Sequence, residues 1–485
     1  MHGLAGEQPD QSPIETVETW DAIYLQAAKM GYGHTRISGR EEDGRQLRQT
    51  DALMRMSIKR LGQKLDIEMS MRSIETIEGQ VVRFRSKVAL GPTPTVVTGE
   101  FRDGAMHLTT KTLGKSVTSE LPWKSDYRGF FYDEQTLKAN PMKPGDRRSY
   151  VGLVPVFNQL APTQMVAGEY EETELLDGKK RRLLKITTVT QFGGAKIKAY
   201  RWTDVKGHTL KTLEPTMNQL SYRTTREFAL RNGSFAPDLL VGSIVRPSGE
   251  TAELGSAKSV TYRVTVSDRD VVKLFPSGVS QSVKAISRNV AELSVQRIRA
   301  GGKQVSTKNR ESAPTKQDRD PSNWIQSDDP AVVKLAGEVA KDEKDTAKIA
   351  VALERHVNQL ITEKDFSTAL ATAAEVAKSR QGDCTEHAVL LAALARARGI
   401  PSRIAVGLVY VRPLGGFGYH MWTEMWLDGD WFPLDATRPQ GGTGCGHIKI
   451  AHDNLGGTGG SLVFLPVLRV LGKLKIEVAG ITKSP

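Results

Sequence analysis

Cysteine is scarce in this sequence, which has only Cys384 and Cys445 in 485 residues. Two cysteines cannot form the disulfide framework of a small secreted domain, so the fold must depend on its hydrophobic cores. Long apolar runs are lacking too, because the most apolar stretch, residues 461–478, contains Pro466 and charged residues. A helix that crosses a bilayer needs about 20 apolar residues. We therefore expect no transmembrane segment.

The first stretch of the chain, residues 1–18, has neither a positively charged start nor an apolar run. A secretory signal peptide needs both features, so none is expected in the sequence as given. The low cysteine content fits a reducing compartment, and it equally fits an exported protein that does without disulfides. The sequence thus leaves the cytoplasm and the cell envelope both open as locations.

An even charge balance is also missing. The chain carries 67 Lys and Arg against 55 Asp and Glu, a formal net charge of +12. Residues 326–485 contain 18 basic and 18 acidic residues, so positions 1–325 contain the other 49 basic and 37 acidic residues. These cations are spread along alternating segments without aromatic residues at stacking spacing, so nucleic acid is disfavoured as a partner. The oligomeric state stays unspecified.

The length and the changing sequence pattern predict several domains, since about 150 residues suffice for one. Residues 1–235 predict a β-rich antiparallel meander, because segments such as 53–59 and 82–88 alternate apolar with basic or polar side chains. Residues 236–302 predict a second, smaller β domain. Residues 303–325 are polar and contain proline, which is typical of a linker or long loop.

Residues 326–485 are expected to form the functional domain. Helical patterns replace strand patterns from Trp324 onward. Asp329 and Pro330 have the residue types of an N-cap and a first helical position. The fold class predicted for the whole chain is therefore α+β, with the helical part at the C-terminal end.

Cys384 lies at a predicted helix start. Asp383 before the apolar run and Glu386 three residues later form a capping box, and Gly399 is suited to end the helix. The N-terminus of a helix favours a thiolate, and its free N–H groups can hold an oxyanion. A small buried cysteine with no chemical role is the alternative, and position alone does not decide between the two.

A predicted hairpin downstream supplies two possible partners for this cysteine. The pair Asp428-Gly429 is typical of a tight turn between strands. Pairing the strands about that turn places His420 opposite Thr437 and makes His420 and Asp435 diagonal neighbours on one face. A helix-start cysteine, a histidine and a carboxylate are the components of a nucleophilic triad.

The segment from Asp329 to Pro439 resembles the transglutaminase-like superfamily core. The resemblance rests on five separated motifs that occur in the family's order. They are Gly382 with Cys384, GIPSR at 399–403, Val406 with Gly407, His420 with Trp422, and Trp431 with Pro433 and Asp435.

The resemblance implies a papain-like α+β core in which Cys384 is the nucleophile, His420 the general acid/base and Asp435 the residue that orients His420. It implies acyl transfer or hydrolysis on protein or peptide amides, by a transglutaminase, a deamidase or a cysteine peptidase. No cofactor is implied, and the peptide N-glycanases of the superfamily are disfavoured because their CxxC zinc pairs are absent. The alternative is a non-catalytic envelope or protein-binding scaffold with a relic core.

Three further residues are possible metal ligands or oxyanion donors. Cys445 and His447 form a C-x-H pair, but zinc needs more ligands than the local sequence offers, so no metal is expected. Gln381 is near enough to donate to an oxyanion, although the backbone N–H of Cys384 is the preferred donor.

Overall fold

The computed structural model describes most of the chain. The described residues are 14–25, 27–60, 62–90, 93–112, 115–154, 158–192, 195–215, 218–231, 238, 242–267, 270–301, 311–368, 370–456, 465–470 and 472–483. They divide into two compact units. The first comprises Met1–Ser57, Ile67–Ala89 and Pro94–Ala236, and the second Ile58–Asp66, Leu90–Thr93 and Pro237–Pro485.

The first unit is built on one sheet of 15 strands. Its spatial order is β8-β7-β6-β5-β4-β3-β2-β1-β15-β14-β13-β12-β11-β10-β9, which is two successive meanders joined where β1 pairs with β15. In chain order the strands are β1 (Val17–Leu25), β2 (Ala28–Glu42), β3 (Arg45–Arg60), β4 (Gln63–Thr76), β5 (Val81–Ala89), β6 (Thr95–Arg102), β7 (Ala105–Thr112), β8 (Lys115–Pro122), β9 (Tyr127–Arg128), β10 (Arg147–Val154), β11 (Gln159–Glu174), β12 (Lys180–Phe192), β13 (Ala195–Thr203), β14 (Thr209–Glu214) and β15 (Gln219–Thr224). The predicted antiparallel meander is confirmed, with the short β9–β10 pair as a parallel exception.

Two helices accompany this sheet, α1 (Tyr132–Ala139) and α2 (Arg226–Leu230). The side chain of Thr225 caps α2 by accepting the N–H of Phe228, which satisfies one of the free donors of the first turn. Alternating strand residues and Leu137 of α1 are buried together in small apolar clusters. The sheet thus has an apolar face to which α1 contributes.

The second unit contains a four-stranded sheet with the spatial order β17-β18-β16-β23. Its strands are β16 (Ser259–Val266), β17 (Gln281–Ser287), β18 (Val290–Gln296) and β23 (Leu474–Thr482). Strand β16 pairs with β18 on one side and with β23 on the other, and both pairings are antiparallel. A strand near the C-terminal end of the sequence therefore completes a sheet that begins more than 200 positions earlier.

The same unit contains the sheet and helices that surround Cys384. The strands have the order β21-β20-β19-β22 and are β19 (Ser402–Val411), β20 (Gly416–Leu427), β21 (Asp430–Leu434) and β22 (His447–Asp453). The helices are α3 (Pro330–Glu338), α4 (Thr346–Leu360), α5 (Ala373–Ser379), α6 (Cys384–Ala397) and α7 (Leu465–Val470). Buried residues of α3 to α6 and of β19 to β21 share one apolar core.

These elements confirm the α+β fold class, with an antiparallel β region followed by helices and small sheets. Asp329 caps α3 through the N–H of Ala331, with Pro330 as its first residue, as predicted. Of the predicted linker, residues 303–310 lie outside the described residues, whereas Ile325 at its other end is fully buried. The predicted division of the chain into three domains and a linker stays a prediction. No helix within the described ranges is both long and apolar enough to span a membrane.

Candidate active site

Cys384 is the first residue of helix α6, and it is partly exposed. The predicted capping box is present: the Asp383 carboxylate accepts the N–H of Thr385, and the Glu386 carboxylate accepts the N–H of Asp383. The remainder of α6 is almost entirely buried. Cys384 therefore lies at the positive end of a rigidly held helix.

Gly382 makes this cap possible. Its φ of +147° belongs to the region that favours glycine, and a Cβ there would lie 2.3 Å from Cβ of Glu386. Any larger residue would collide with the side chain that closes the capping box. The Gly-x-Cys pattern is thus explained by backbone geometry at the start of the helix.

His420 and Asp435 are in direct contact. Nε2 of His420 lies 2.9 Å from Oδ2 of Asp435, and both side chains are buried. The hairpin that carries them has the predicted register, since Thr423 pairs with Leu434 and Trp426 with Trp431. The strand ends at Leu434, one residue before Asp435.

Cys384 is close enough to His420 to influence it, both by charge and as a potential hydrogen-bond partner. Since Nε2 of His420 is engaged with Asp435, we infer that Nδ1 faces the thiol. Burial lowers the pKa of His420, but the charges of Asp435 and Cys384 outweigh burial and raise it to about 10. The surroundings therefore favour an imidazolium between a carboxylate and a sulfur.

Asp435 is held at every polar atom. Its N–H donates to Glu354 of α4 at 3.0 Å, and its Oδ1 accepts the N–H of Thr437 at 2.9 Å. Burial raises the pKa of Asp435, but the two histidines that bond Oδ2 outweigh it and hold that pKa well below its usual value. Asp435 is therefore a fixed carboxylate that cannot rotate away from His420.

His447 is the second histidine on this carboxylate. Its Nε2 lies 2.9 Å from Oδ2 of Asp435, the same oxygen that His420 uses. Strand β22 carries His447 into the site by pairing with β19, with His447 opposite Val409. Burial lowers the pKa of His447 despite the opposing charge of Asp435. A neutral His447 can donate Nε2–H to the carboxylate.

His420, Asp435 and His447 offer potential metal-ligand atoms that lie within 4.8 Å of one another. Both Nε2 atoms are directed at Oδ2 of Asp435 in hydrogen-bonding geometry. A metal would have to displace both hydrogen bonds and would separate His420 from its role beside the thiol. We assign these residues to no metal.

Trp422 forms a wall beside His420. The two rings are stacked with centroids 6.3 Å apart. Gly407 pairs with His420 across the strands, and a Cβ at Gly407 would lie 2.8 Å from the Trp422 ring and 2.1 Å from the carbonyl oxygen of Ile448. The Val-Gly motif thus leaves space for the indole and for the adjacent strand.

Lys364 and His387 form a polar pair beside the helix start. Nδ1 of His387 lies 2.6 Å from the carbonyl oxygen of Asp383, and its Nε2 lies 3.0 Å from Nζ of Lys364. Burial lowers the pKa of His387 to about 4, and Lys364 adds to that effect. His387 is therefore neutral and donates from Nδ1 to Asp383 while its Nε2 accepts from Lys364. It contacts the backbone at the start of α6 and Lys364.

Gln381 is directed elsewhere, because its amide donates to Glu363 at 2.5 Å. Glu363 and Gln381 also form a backbone bridge, and Gly382 donates its N–H to the Glu363 carbonyl. This bridge brings Lys364 next to the start of helix α6. The backbone N–H of Cys384 remains the better placed donor for an oxyanion.

A second buried group of charges lies on the same sheet. Glu424 is paired with Arg403 and Lys449 at 2.7 Å each, and Glu311 pairs with the same two cations. The carboxylates of Glu311 and Glu424 lie near His452, but Arg403 and Lys449 already neutralise them. The arrangement is therefore a buried ion-pair network, in which removal of one partner would leave an uncompensated charge.

Cys445 is fully buried, and its thiol donates to the carbonyl oxygen of Ala257 at 3.3 Å. Burial raises the pKa of this thiol to about 11. Cys445 therefore has the surroundings of an inert core residue. Its neighbour His447, considered in the sequence only as a zinc ligand, contacts Asp435 instead.

Comparison with family models identifies residues 333–436 as a match to the transglutaminase-like superfamily. The matched stretch includes Cys384, His420 and Asp435, and it ends before His447. The second unit therefore contains a transglutaminase-like superfamily core, as the sequence motifs predicted. No curated protein matches the chain.

Comparison with solved structures finds matches of low similarity. One is a candidate cysteine protease from Cytophaga hutchinsonii, 18% identical, covering 47% of this chain and 86% of its own, with a TM-score of 0.30. Another is a candidate protease from Parabacteroides distasonis, 12% identical, covering 74% of this chain and 69% of its own, with a TM-score of 0.19. Likenesses this low carry no argument about the activity of the present chain.

Proposed function

We propose that the chain is a cysteine-nucleophile enzyme that transfers or hydrolyses the acyl groups of protein or peptide amides. Cys384 is the nucleophile, His420 the general acid/base, and Asp435 the residue that orients His420. The observation that carries the proposal is the contact sequence from Cys384 at a capped helix start, through His420, to Oδ2 of Asp435. The family match supports the same chemistry.

The acylation step follows from this arrangement. The sulfur of Cys384 forms a bond to the amide carbon, and the carbonyl oxygen becomes an oxyanion at the N-terminus of α6. The C–N bond then breaks as the His420 imidazolium gives its proton to the departing amine or ammonia. The products are a thioester on Cys384, a neutral amine and a neutral imidazole.

Release of the acyl group reverses these roles. Neutral His420 removes a proton from an incoming water or amine, whose oxygen or nitrogen bonds to the thioester carbon. The C–S bond breaks, and the thiolate and the imidazolium are restored. Asp435 supports both steps by fixing the ring and by stabilising the charged imidazole.

The acceptor determines which member of this enzyme class the chain is. Water gives a peptidase or deamidase, whereas an amine gives a transglutaminase. The ring of Trp422 is stacked beside His420, and its Nε1 is buried without a protein partner in the described part of the chain. A site with such a wall restricts water, which favours an amine where one is supplied.

A non-catalytic scaffold with a relic core is the competing function. Burying a charged group costs free energy. A protein without catalytic function would therefore have no reason to keep a buried carboxylate whose oxygens are bonded to two histidines and a backbone N–H. The intact contacts of Asp435 therefore favour an enzyme.

Acylation of Cys384 is the direct test. The full chain is mixed with an activated ester, p-nitrophenyl acetate, and intact mass is recorded within seconds and again after turnover. We expect one transient acetyl group, located on Cys384 by peptide mapping, with a burst of nitrophenol. Adding glycine methyl ester as an amine then separates hydrolysis from transfer through the product formed.

Two variants make the test specific. Cys384→Ala should give no acyl adduct and no burst, whereas Cys445→Ala, the same change at the other cysteine, should behave as wild type. A folded wild-type chain without a burst, or an equal burst from Cys384→Ala, would contradict the proposal and favour the scaffold.

A further inference from the structure

The first unit contains a cavity of about 580 Å³ whose lining residues all belong to that unit. The cavity lies along strands β1 to β5 and β10 to β15, and residues from α1 line one side. Its volume is within the range of cavities that hold small molecules, about 300–1,000 Å³. It is separate from the residues proposed to act in catalysis.

Most of the cavity wall is apolar. The apolar lining includes Ile23, Met54, Met69, Phe131, Leu153 and Phe192. Methionine side chains adapt their shape to irregular ligands, and aromatic rings give large contact surfaces. These walls are suited to a flexible hydrocarbon chain.

Most of the charged lining residues are paired with one another. Arg223 bonds Asp21 at 2.9 Å and lies 3.5 Å from Glu134, and Arg201 bonds Asp133. With Lys138 near Glu134, these groups are three acids and three bases. Lys211 also lines the cavity, and its Nζ lies over the rings of Trp202 and Tyr222. The excess is therefore one positive charge, so the cavity does not require a multiply charged ligand.

Besides Nε2 of His34, which lies 3.6 Å from a Glu18 carboxylate oxygen, three lining residues have buried polar atoms without a hydrogen-bond partner in the described part of the chain. They are Oγ1 of Thr188, Oγ1 of Thr209 and Nε of Arg201. Thr188 and Thr209 are only 5% and 6% exposed. Leaving such groups unpaired costs free energy, about 1–3 kcal/mol each. All three can donate a hydrogen bond, so they are suited to a ligand with acceptor oxygens.

We propose that this cavity binds one acyl lipid, with the hydrocarbon chain against the apolar walls and the oxygens of the head group accepting from Thr188, Thr209 and Arg201. A carboxylate and an ester share the acceptor chemistry that these donors require. The inference is independent of the proposed catalysis, because no residue of the second unit takes part.

The test uses the full chain and cis-parinaric acid, a fluorescent fatty acid, with its methyl ester as a second probe. We expect saturable binding of about one molecule per chain. Binding of the acid alone identifies a carboxylate head, and binding of both identifies the carbonyl oxygen as the recognised group; each result supports the proposal. Cys384→Ala should bind as wild type, which separates this test from that of the catalytic proposal.

Two cavity variants localise the ligand. Ala199, which lines the cavity and pairs with Thr188 across the strands, can be enlarged. Ala199→Phe should weaken binding at least tenfold by filling the space. Thr188→Val should weaken it several-fold and raise the melting temperature of the ligand-free protein, because an unpaired buried hydroxyl is removed. Thr118→Val, the same change at an exposed strand position, should alter neither.

Thermal melts establish which variants fold. If Ala199→Phe does not fold, Thr188→Val still decides the question, since it conserves shape. The proposal is overturned by the absence of saturable binding in the wild type. It is also overturned if every folded cavity variant binds with wild-type affinity.

Discussion

Nε2 of His447 lies 2.9 Å from Oδ2 of Asp435. The same oxygen is 2.9 Å from Nε2 of His420, so one carboxylate oxygen is shared by two imidazoles. Because both hydrogen bonds involve a charged acceptor, each restricts the rotation of Asp435. His447 thereby fixes the residue that in turn fixes His420, without touching the thiol.

His447→Leu removes one of these two hydrogen bonds. A hydrogen bond to a charged group contributes about 1.5–3 kcal/mol, so kcat should fall roughly 10- to 100-fold. His447→Gln retains an N–H donor and should recover much of the rate. Burst kinetics with p-nitrophenyl acetate measure both variants. Equal rates for His447→Leu and the wild type would show that Asp435 does not need its second histidine.

The pH dependence of turnover should depend on the charge of Asp435, because that charge raises the pKa of His420. His420 has a raised pKa of about 10, and in the proposed mechanism its protonated form is the acid that releases the amine. Activity on an amide substrate should therefore persist below that pKa and be lost as the pH rises through it. Asp435→Asn should move this loss to lower pH and reduce turnover by roughly 10²- to 10⁴-fold.

Asp428→Asn is the matched control, because it makes the same change at the exposed turn of the same hairpin. It should leave the profile of kcat/KM against pH unchanged. An Asp435→Asn enzyme that folds and keeps the wild-type profile would mean that Asp435 does not act through His420.

The two cysteines should differ in reactivity. Iodoacetamide near neutral pH should modify Cys384, which is partly exposed at a helix N-terminus, long before the buried Cys445. His420→Ala should slow modification of Cys384, whereas Cys445→Ala should not affect it. Peptide mapping over time gives both rates. Comparable rates for the two thiols in the folded chain would count against an activated Cys384.

The ion-pair network of Glu424 should contribute to stability. Glu424→Gln leaves Arg403 and Lys449 buried with one acid fewer, and breaking a buried pair costs about 3–5 kcal/mol. Glu477→Gln breaks an exposed pair with Arg263 and should cost at most about 1 kcal/mol. Urea unfolding of both variants measures the difference. Equal midpoints would show that Glu311 alone compensates the two cations.

Features that depend on neighbouring residues could be predicted from the sequence. The capping box of α6 and the hairpin about Asp428-Gly429 each use residues a few positions apart, so propensity and turn chemistry determine them. The hairpin register predicted from the sequence makes His420 and Asp435 neighbours, and the structure has the same register and a contact between the two side chains. The α+β class followed from the change of periodicity near Trp324.

Features that depend on distant pairing could not be predicted. His447 reaches Asp435 only because β22 pairs with the edge of β19 that is opposite to β20. The alternation of apolar and polar residues along a strand does not determine which strands become neighbours. Lys364 reaches the helix start through the bridge between Glu363 and Gln381. In both cases the missing information was which strand lies next to which.

The antiparallel pairing of β16 with β23 has a consequence for how the gene can be divided. The transglutaminase-like stretch, residues 333–436, is encoded between two strands that are neighbours in one sheet. A recombinant fragment that begins at residue 326 would carry β23 without its partner, leaving an open strand edge that recruits other chains and promotes aggregation. A fragment that begins near residue 237 keeps both strands. The boundary for subcloning is thus set by the sheet and lies well before the first residue of the family match.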